Sequence, residues 1–265
     1  MEEYRLSLRF DVEGNANFNL YAAVCCRDLP RAQQAVTDGG RVTQLYRLPD
    51  TDLYDDRLFT VLEVAFHTGN REIVWHLLNQ LTAADIAEYA RQGISLICRA
   101  MRSCMPDIAL FLINTNRFDL NLVDITGETP LGIAATMGGS TLVVVPAIMQ
   151  RVPQQRFVLL QPRISCPSRS VLQYAVEHNN VETVKALLQY SGQRAEFVEM
   201  QDSQGRTALH LAAESISHDK FQIMSELQAC SDRLSWILDG RGQAAADLFY
   251  DPATAYWDED NSSNV

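Results

Sequence analysis

The sequence lacks any apolar run of the roughly 20 residues needed to cross a bilayer; the stretch from Leu142 to Met149 is short and broken by Pro146. No membrane insertion is expected. Basic residues are outnumbered, 22 Lys and Arg against 33 Asp and Glu, for a formal net charge of -11. That balance disfavours nucleic acid and anionic membranes as partners. No Cys-x-x-Cys occurs among the six cysteines, and Cys25 and Cys26 are adjacent, which points to free thiols in a reducing compartment. His67 and His76 lie too far apart in sequence for zinc spacing, and no Gly-x-x-x-x-Gly-Lys-Ser/Thr run cradles phosphate, so neither metal nor cofactor is expected. The first thirty residues lack the basic start and apolar stretch of a secretory signal. The expectation is a cytoplasmic chain.

What the sequence does contain is repetition. Asp202-Ser-Gln-Gly205-Arg-Thr207-Ala-Leu209-His210-Leu-Ala212-Ala213 is matched almost position for position by Asp124-Ile-Thr-Gly127-Glu-Thr129-Pro130-Leu131-Gly-Ile-Ala134-Ala135. Asp-x-x-Gly makes a tight turn, threonine caps a short helix, and small residues line the packing side. Thr60 to Leu78 and Ser170 to Leu188 carry the same pattern into a second helix with the apolar pairs Leu77-Leu78 and Leu187-Leu188. Ser95 to Leu112 is a looser copy, Leu20 to Leu29 a degenerate first unit, and Asp239 to Leu248 keeps only the turn and first helix.

Units therefore start near Phe18, Thr60, Ser95, Thr129, Ser170, Thr207 and Ala244, at spacings of 42, 35, 34, 41, 37 and 37 residues. This pattern resembles the ankyrin repeat, a turn plus two antiparallel helices of about 33 residues. The resemblance implies an all-α solenoid of helix-turn-helix units joined by β-turn fingers: one domain over residues 1–250, then an acidic polar tail over 251–265. A unit that cannot bury its own apolar face must stack on copies of itself.

Each motif position has a structural cause. Gly93, Gly127, Gly205 and Gly242 fall where a tight turn needs positive φ. Gly69, Gly138 and Asn179 stand where a left-handed residue would stop the first helix. His210 is alone in its slot; the equivalents are Tyr21, Glu63, Cys98, Gly132, Gln173 and Asp247. In the family that histidine bonds the neighbouring turn, so weaker ties between turns are expected here. The long connections over 37–59 and 151–168 would lengthen fingers or add a short helix. Ala83 to Tyr89 reads as a helical extension, and Tyr4 to Phe10 as a strand covering the first unit.

The family carries partner contacts on the turns and the exposed side of each first helix. Transferred residue by residue, the candidate partner-binding positions are Phe59, His67, Arg91, Ile94, Arg102, Ile125, Glu128, Met137, Glu177, His178 and Arg206. The resemblance implies a non-enzymatic adaptor, scaffold or inhibitor that binds another protein as a monomer. The acidic, polar C-terminus also resembles the translocation tails of some secreted bacterial effectors, which would place the chain in a host cytosol. A cysteine-dependent hydrolase or transferase using Cys25 with His67 is the competing class. Those two residues occupy equivalent positions on neighbouring units, about 10 Å apart by helix packing, with no orienting third residue evident. No catalytic residue is therefore assigned.

Overall fold

A capping side chain immediately before each first helix, Asn15 in the first unit and Ser or Thr in the rest, decides where that helix begins. In the computed structural model, which describes residues 15–47, 58–139, 142–151, 169–192 and 195–248, Thr60 Oγ1 accepts the Glu63 N–H while the Glu63 carboxylate accepts the Thr60 N–H. This reciprocal box satisfies two donors that helix geometry leaves without partners. Ser170 and Gln173 repeat it, as do Thr207 and His210. Thr129 accepts from Gly132 N–H, with Pro130 in the first turn, where its missing N–H costs nothing.

The inner helices so started are α1 (Ala16–Cys25), α3 (Val61–Thr68), α6 (Leu96–Arg102), α8 (Pro130–Met137), α10 (Val171–Glu177) and α13 (Ala208–Glu214). Each is followed by an outer partner: α2 (Leu29–Thr37), α4 (Arg71–Leu78), α7 (Pro106–Asn114), α9 (Val144–Arg151), α11 (Val181–Ser191) and α14 (Lys220–Gln228). Consecutive inner helices pack on one another along the whole series, and α13 packs on the 3₁₀ turn Ala245–Leu248 of the half unit. Successive outer helices from α7 to α14 do likewise, and between α4 and α7 Trp75 sets its ring edge-on to Phe111 at 4.6 Å. The result is a two-layer stack with one continuous core. Ala65, Ala134, Ala175 and Ala212 are buried where inner helices approach, and Leu77-Leu78 and Leu187-Leu188 seal the outer layer.

In the first five units the link between inner and outer helix contains a residue with positive φ, whereas the sixth turns through the extended Ser215. Gly69 and Asn179 take positive φ as expected, and Gly138 does too, although its ψ of -154 puts it outside the left-handed helical basin. Arg27 (φ 56) and Cys104 (φ 54) fill the same slot in units one and three. In both, the next residue's N–H reaches back five residues, Asp28 to Ala23 O and Met105 to Ala100 O at 2.9 Å. The backbone bonds of this helix stop offset the strain of a non-glycine there.

Two connections add structure. The first long one contributes β1 (Leu45–Arg47) and β2 (Leu58–Thr60), an antiparallel pair in which Tyr46 faces Phe59. Tyr46 stacks on Tyr21 of α1 at 4.4 Å. The extension before the third unit is α5 (Ala83–Arg91), capped by Thr82, and a short α12 (Ala195–Val198) precedes the sixth finger. The strand expected over Tyr4 to Phe10, the segment 152–168 and the tail lie outside the described residues. Among the described residues no helix is long and apolar enough to cross a membrane.

Candidate functional site

The turn fingers and the exposed side of the inner helices form the surface on which the sequence places its binding residues. Three fingers are each closed by their own aspartate. Asp124 Oδ1 accepts N–H groups from Thr126 and Glu128, and Asp202 Oδ1 those of Gln204 and Arg206. Asp239 Oδ1 accepts from Arg241 and Gln243, which, with the Gln243 bond foremost, holds its carboxyl below the ordinary value. Neighbouring fingers are joined through the backbone: Ile125 N–H donates to Gly93 O at 2.9 Å and Gly240 N–H to Gln204 O at 2.7 Å.

The ties between units are stronger than the lone histidine implied. His210 Nε2 donates to Gln243 O at 3.1 Å, with its Nδ1 accepting the Thr207 N–H. One unit earlier, Gln173 does both jobs with an amide. Its Oε1 accepts the Ser170 N–H at 2.7 Å, and its Nε2 donates to Arg206 O at 2.7 Å and Met200 O at 3.2 Å. Glu63, which has no proton to donate when ionised, instead pairs with Arg99 of the next unit at 3.2 Å. Among the described residues Cys98 and Gly132 make no such side-chain bond from this slot.

Several candidate residues are occupied within the chain. Arg102 pairs with Glu128 and lies 3.3 Å from Asp124, binding unit three to finger four. Arg206 forks onto Asp202 through Nε and Nη2, at 3.1 and 2.9 Å, and reaches Glu214 at 3.1 Å. Arg169 pairs with Glu177 and approaches Asp202 at 3.7 Å. Glu177, Arg169, Asp202, Arg206 and Glu214 thus form one ionic ladder across units five and six. Arg91 pairs with Glu88 on its own helix. His178 is exposed, its Nδ1 bonded to Tyr174 O at 3.0 Å.

One expectation needs correction. Ile94 is only 6% exposed and belongs to the core. The end of α5 turns it inward: Gly93 N–H bonds Ala90 O and Ile94 N–H bonds Tyr89 O, with Gly93 left-handed between them. Phe59 is half-buried, packed against the core from β2. His67, Ile125 and Met137 are exposed, the last two at 42% and 41%.

The sequence reading missed Leu45 and Leu58, Val123, and Trp236 with Leu238, all exposed large apolar residues, Trp236 at 81%. They flank the second, fourth and seventh turns; with Ile125 they put most of the exposed large apolar side chains of the described residues beside fingers. The signal was present in sequence, since Val123 and Leu238 each directly precede the aspartate of an Asp-x-x-Gly turn.

Cys25 shows the opposite of nucleophile activation. Burial pushes its thiol up, more than the Tyr21 hydrogen bond lowers it, and the neighbouring Cys26 raises it further. Burial pushes Cys98 up to about 12. A thiol held in its protonated form is a poor nucleophile.

Residues 154–231 match the family model for ankyrin repeats, a model of three copies. The crystal structure of the ankyrin repeat domain of Bcl-3, described as a unique member of the IkappaB protein family, is similar at a TM-score of 0.62. The two are 19% identical, over 88% of this chain and 94% of that one, a level that establishes the fold. No curated protein matches the sequence.

Proposed function

We propose that this array of ankyrin repeats is a non-enzymatic binding module, an adaptor, scaffold or inhibitor that holds another protein against its fingers and concave face. The observation that carries this reading is the gathering of most of the exposed large apolar side chains among the described residues beside the fingers. Exposed apolar groups rimmed by polar ones are the usual mark of a protein contact. A stacked scaffold also presents them already ordered, so little ordering entropy is lost on binding. The contacts assigned are Leu58, Val123, Ile125, Met137, Trp236 and Leu238, with His67, Arg91 and His178 on the polar rim. Arg102, Glu128, Glu177 and Arg206 act first as the frame that fixes the fingers.

The protein is read as a cytoplasmic monomer that does not bind nucleic acid, in keeping with its charge of -11. The raised Cys25 thiol supports a non-enzymatic role over a Cys25–His67 hydrolase or transferase. Action as a translocated effector on a host protein is an extension of this reading that the acidic 251–265 segment motivates. Deleting that segment and measuring delivery tests it, and undiminished delivery counts against it.

The binding role is tested by affinity capture with wild-type protein and with the Ile125→Asp/Trp236→Asp double variant. A Glu182→Lys variant, on the outer helix α11, serves as control. The reading requires partners recovered by wild type and control and lost with the double variant. Equal recovery with all three baits removes the fingers as the binding surface.

A further inference from the structure

The outer helix of the sixth unit turns a large apolar side chain toward the end of the stack. On α14, Ile223 and Leu227 are fully buried, as Ile73 and Leu77 are on α4. Phe221 precedes Ile223 by two residues, as Arg71 precedes Ile73, and an equal offset puts both on the same side of their helices. Arg71 stands on the side of α4 that faces the next unit, because it pairs with Asp107 at the start of α7. Phe221 therefore stands on the side of α14 that faces a seventh unit, and it is 53% exposed. At the far end of α14, Gln228 meets the 3₁₀ turn Asp232–Trp236 through Ser235. The seventh unit is described as far as Leu248.

The repeat register names what belongs against Phe221. In units two, three and five, whose helices are joined by a short turn, the outer helix begins ten residues after the inner one: Arg71 after Val61, Pro106 after Leu96 and Val181 after Val171. The seventh inner turn begins at Ala245, so the same count reaches Ala255, followed by Tyr256 and Trp257. Asp107 is the second residue of α7, and the fully buried Ile108 is the third. Tyr256 thus takes the place of Asp107, and Trp257 that of Ile108. We propose that residues 255–257 dock on the end of the stack as a single-turn cap, with Tyr256 on the Phe221 ring and Trp257 turned inward. An aromatic pair, which contributes beyond the area it buries, replaces there the Arg71–Asp107 ion pair. Asp258 follows where the buried Ala109 stands on α7. Burying a carboxylate without a partner is costly, so the apolar contact ends after one turn. Asp258, Glu259 and Asp260 then supply the polar outer face that a terminal unit requires. Docking at this place leaves Trp236 and Leu238 to the seventh finger, and it is independent of what the fingers bind.

Disulfide trapping in the intact chain tests this, with Cys25, Cys26, Cys104, Cys166 and Cys230 changed to serine and the buried Cys98 kept. Phe221→Cys is combined in turn with Thr254→Cys, Tyr256→Cys and Asp258→Cys. A docked cap brings the Tyr256→Cys thiol into bonding range, so that pair is expected to close several-fold faster than its two neighbours. Equal closure from all three positions overturns the register. A second measurement needs no cysteine variant. In the unsubstituted chain carrying 5-fluorotryptophan, the Trp257 fluorine signal, assigned with Trp257→Phe, is expected to shift less between light and heavy water than that of the exposed Trp236. A Trp257 signal as solvent-sensitive as that of Trp236 overturns the docking, whether or not the cysteine variants fold.

Discussion

The side-chain amide of Gln173 lies 2.7 Å from the backbone carbonyl of Arg206 in the next unit, where His210 in turn reaches the carbonyl of Gln243. Two chemically different side chains satisfy the same pair of requirements, an acceptor for their own helix start and a donor for the next finger. The structural role belongs to the position, and any residue with a lone pair on one side and an N–H on the other can fill it.

Replacing Gln173 by alanine removes both functions and leaves Arg206 O and Met200 O without this donor. Because an unmet buried polar group costs about 1–3 kcal/mol, urea unfolding of Gln173→Ala is expected to show a loss of that size. Gln173→His is expected to recover most of it. A histidine variant no more stable than the alanine variant would show that the two side chains are not equivalent.

Leu209 is 1% exposed on α13. Truncation to alanine is expected to cost about 2–5 kcal/mol, the usual range for a buried leucine, read as a lower midpoint in thermal or urea unfolding. Ile125→Ala, on an exposed finger, is expected to leave the midpoint nearly unchanged while weakening partner capture.

Thiol labelling at neutral pH is expected to proceed first at the exposed Cys26 and Cys104 and last at Cys98, whose thiol is buried and pushed up to about 12. Cys25 is expected to react more slowly than a free thiol of ordinary pKa. Rapid, selective modification of Cys25 would revive the nucleophile reading.

Asp239 titrates below its ordinary value of 3.8, chiefly because its carboxylate accepts the Gln243 N–H. The folded protein therefore binds this proton more weakly than the unfolded chain. The resulting stabilisation is complete above the ordinary value and disappears as pH falls through the lowered one. Asp239→Asn is expected to flatten the loss of stability as pH falls below the ordinary carboxylate value; an unchanged acid profile would show that the half-unit finger contributes nothing to it.

The fold was legible because its determinants are local. Thr60, Thr129 and Ser170 announce helix starts, and paired leucines announce the outer layer. Arg27 and Cys104 were not legible as helix stops, since neither residue type favours positive φ and the bonds that hold them come from the backbone. The β1–β2 pair was hidden by the length of its connection. The candidate surface was harder still: Arg102 and Glu128 both look like solvent-facing charges in sequence, and nothing there shows that they meet. Ile94 looked like a surface anchor because the close of α5 that buries it depends on a glycine assigned to a finger.

The stretch from Ser170 to Arg206 begins with a side chain that donates forward and ends with a carbonyl that receives the same bond from behind. Such a segment is compatible with a second copy of itself, so a gene with those 37 codons duplicated in tandem would encode a longer protein whose new seam is already matched. The stretch beginning at Thr129 carries Gly132 at the equivalent position, so a doubled copy of it would repeat a seam without that side-chain bond.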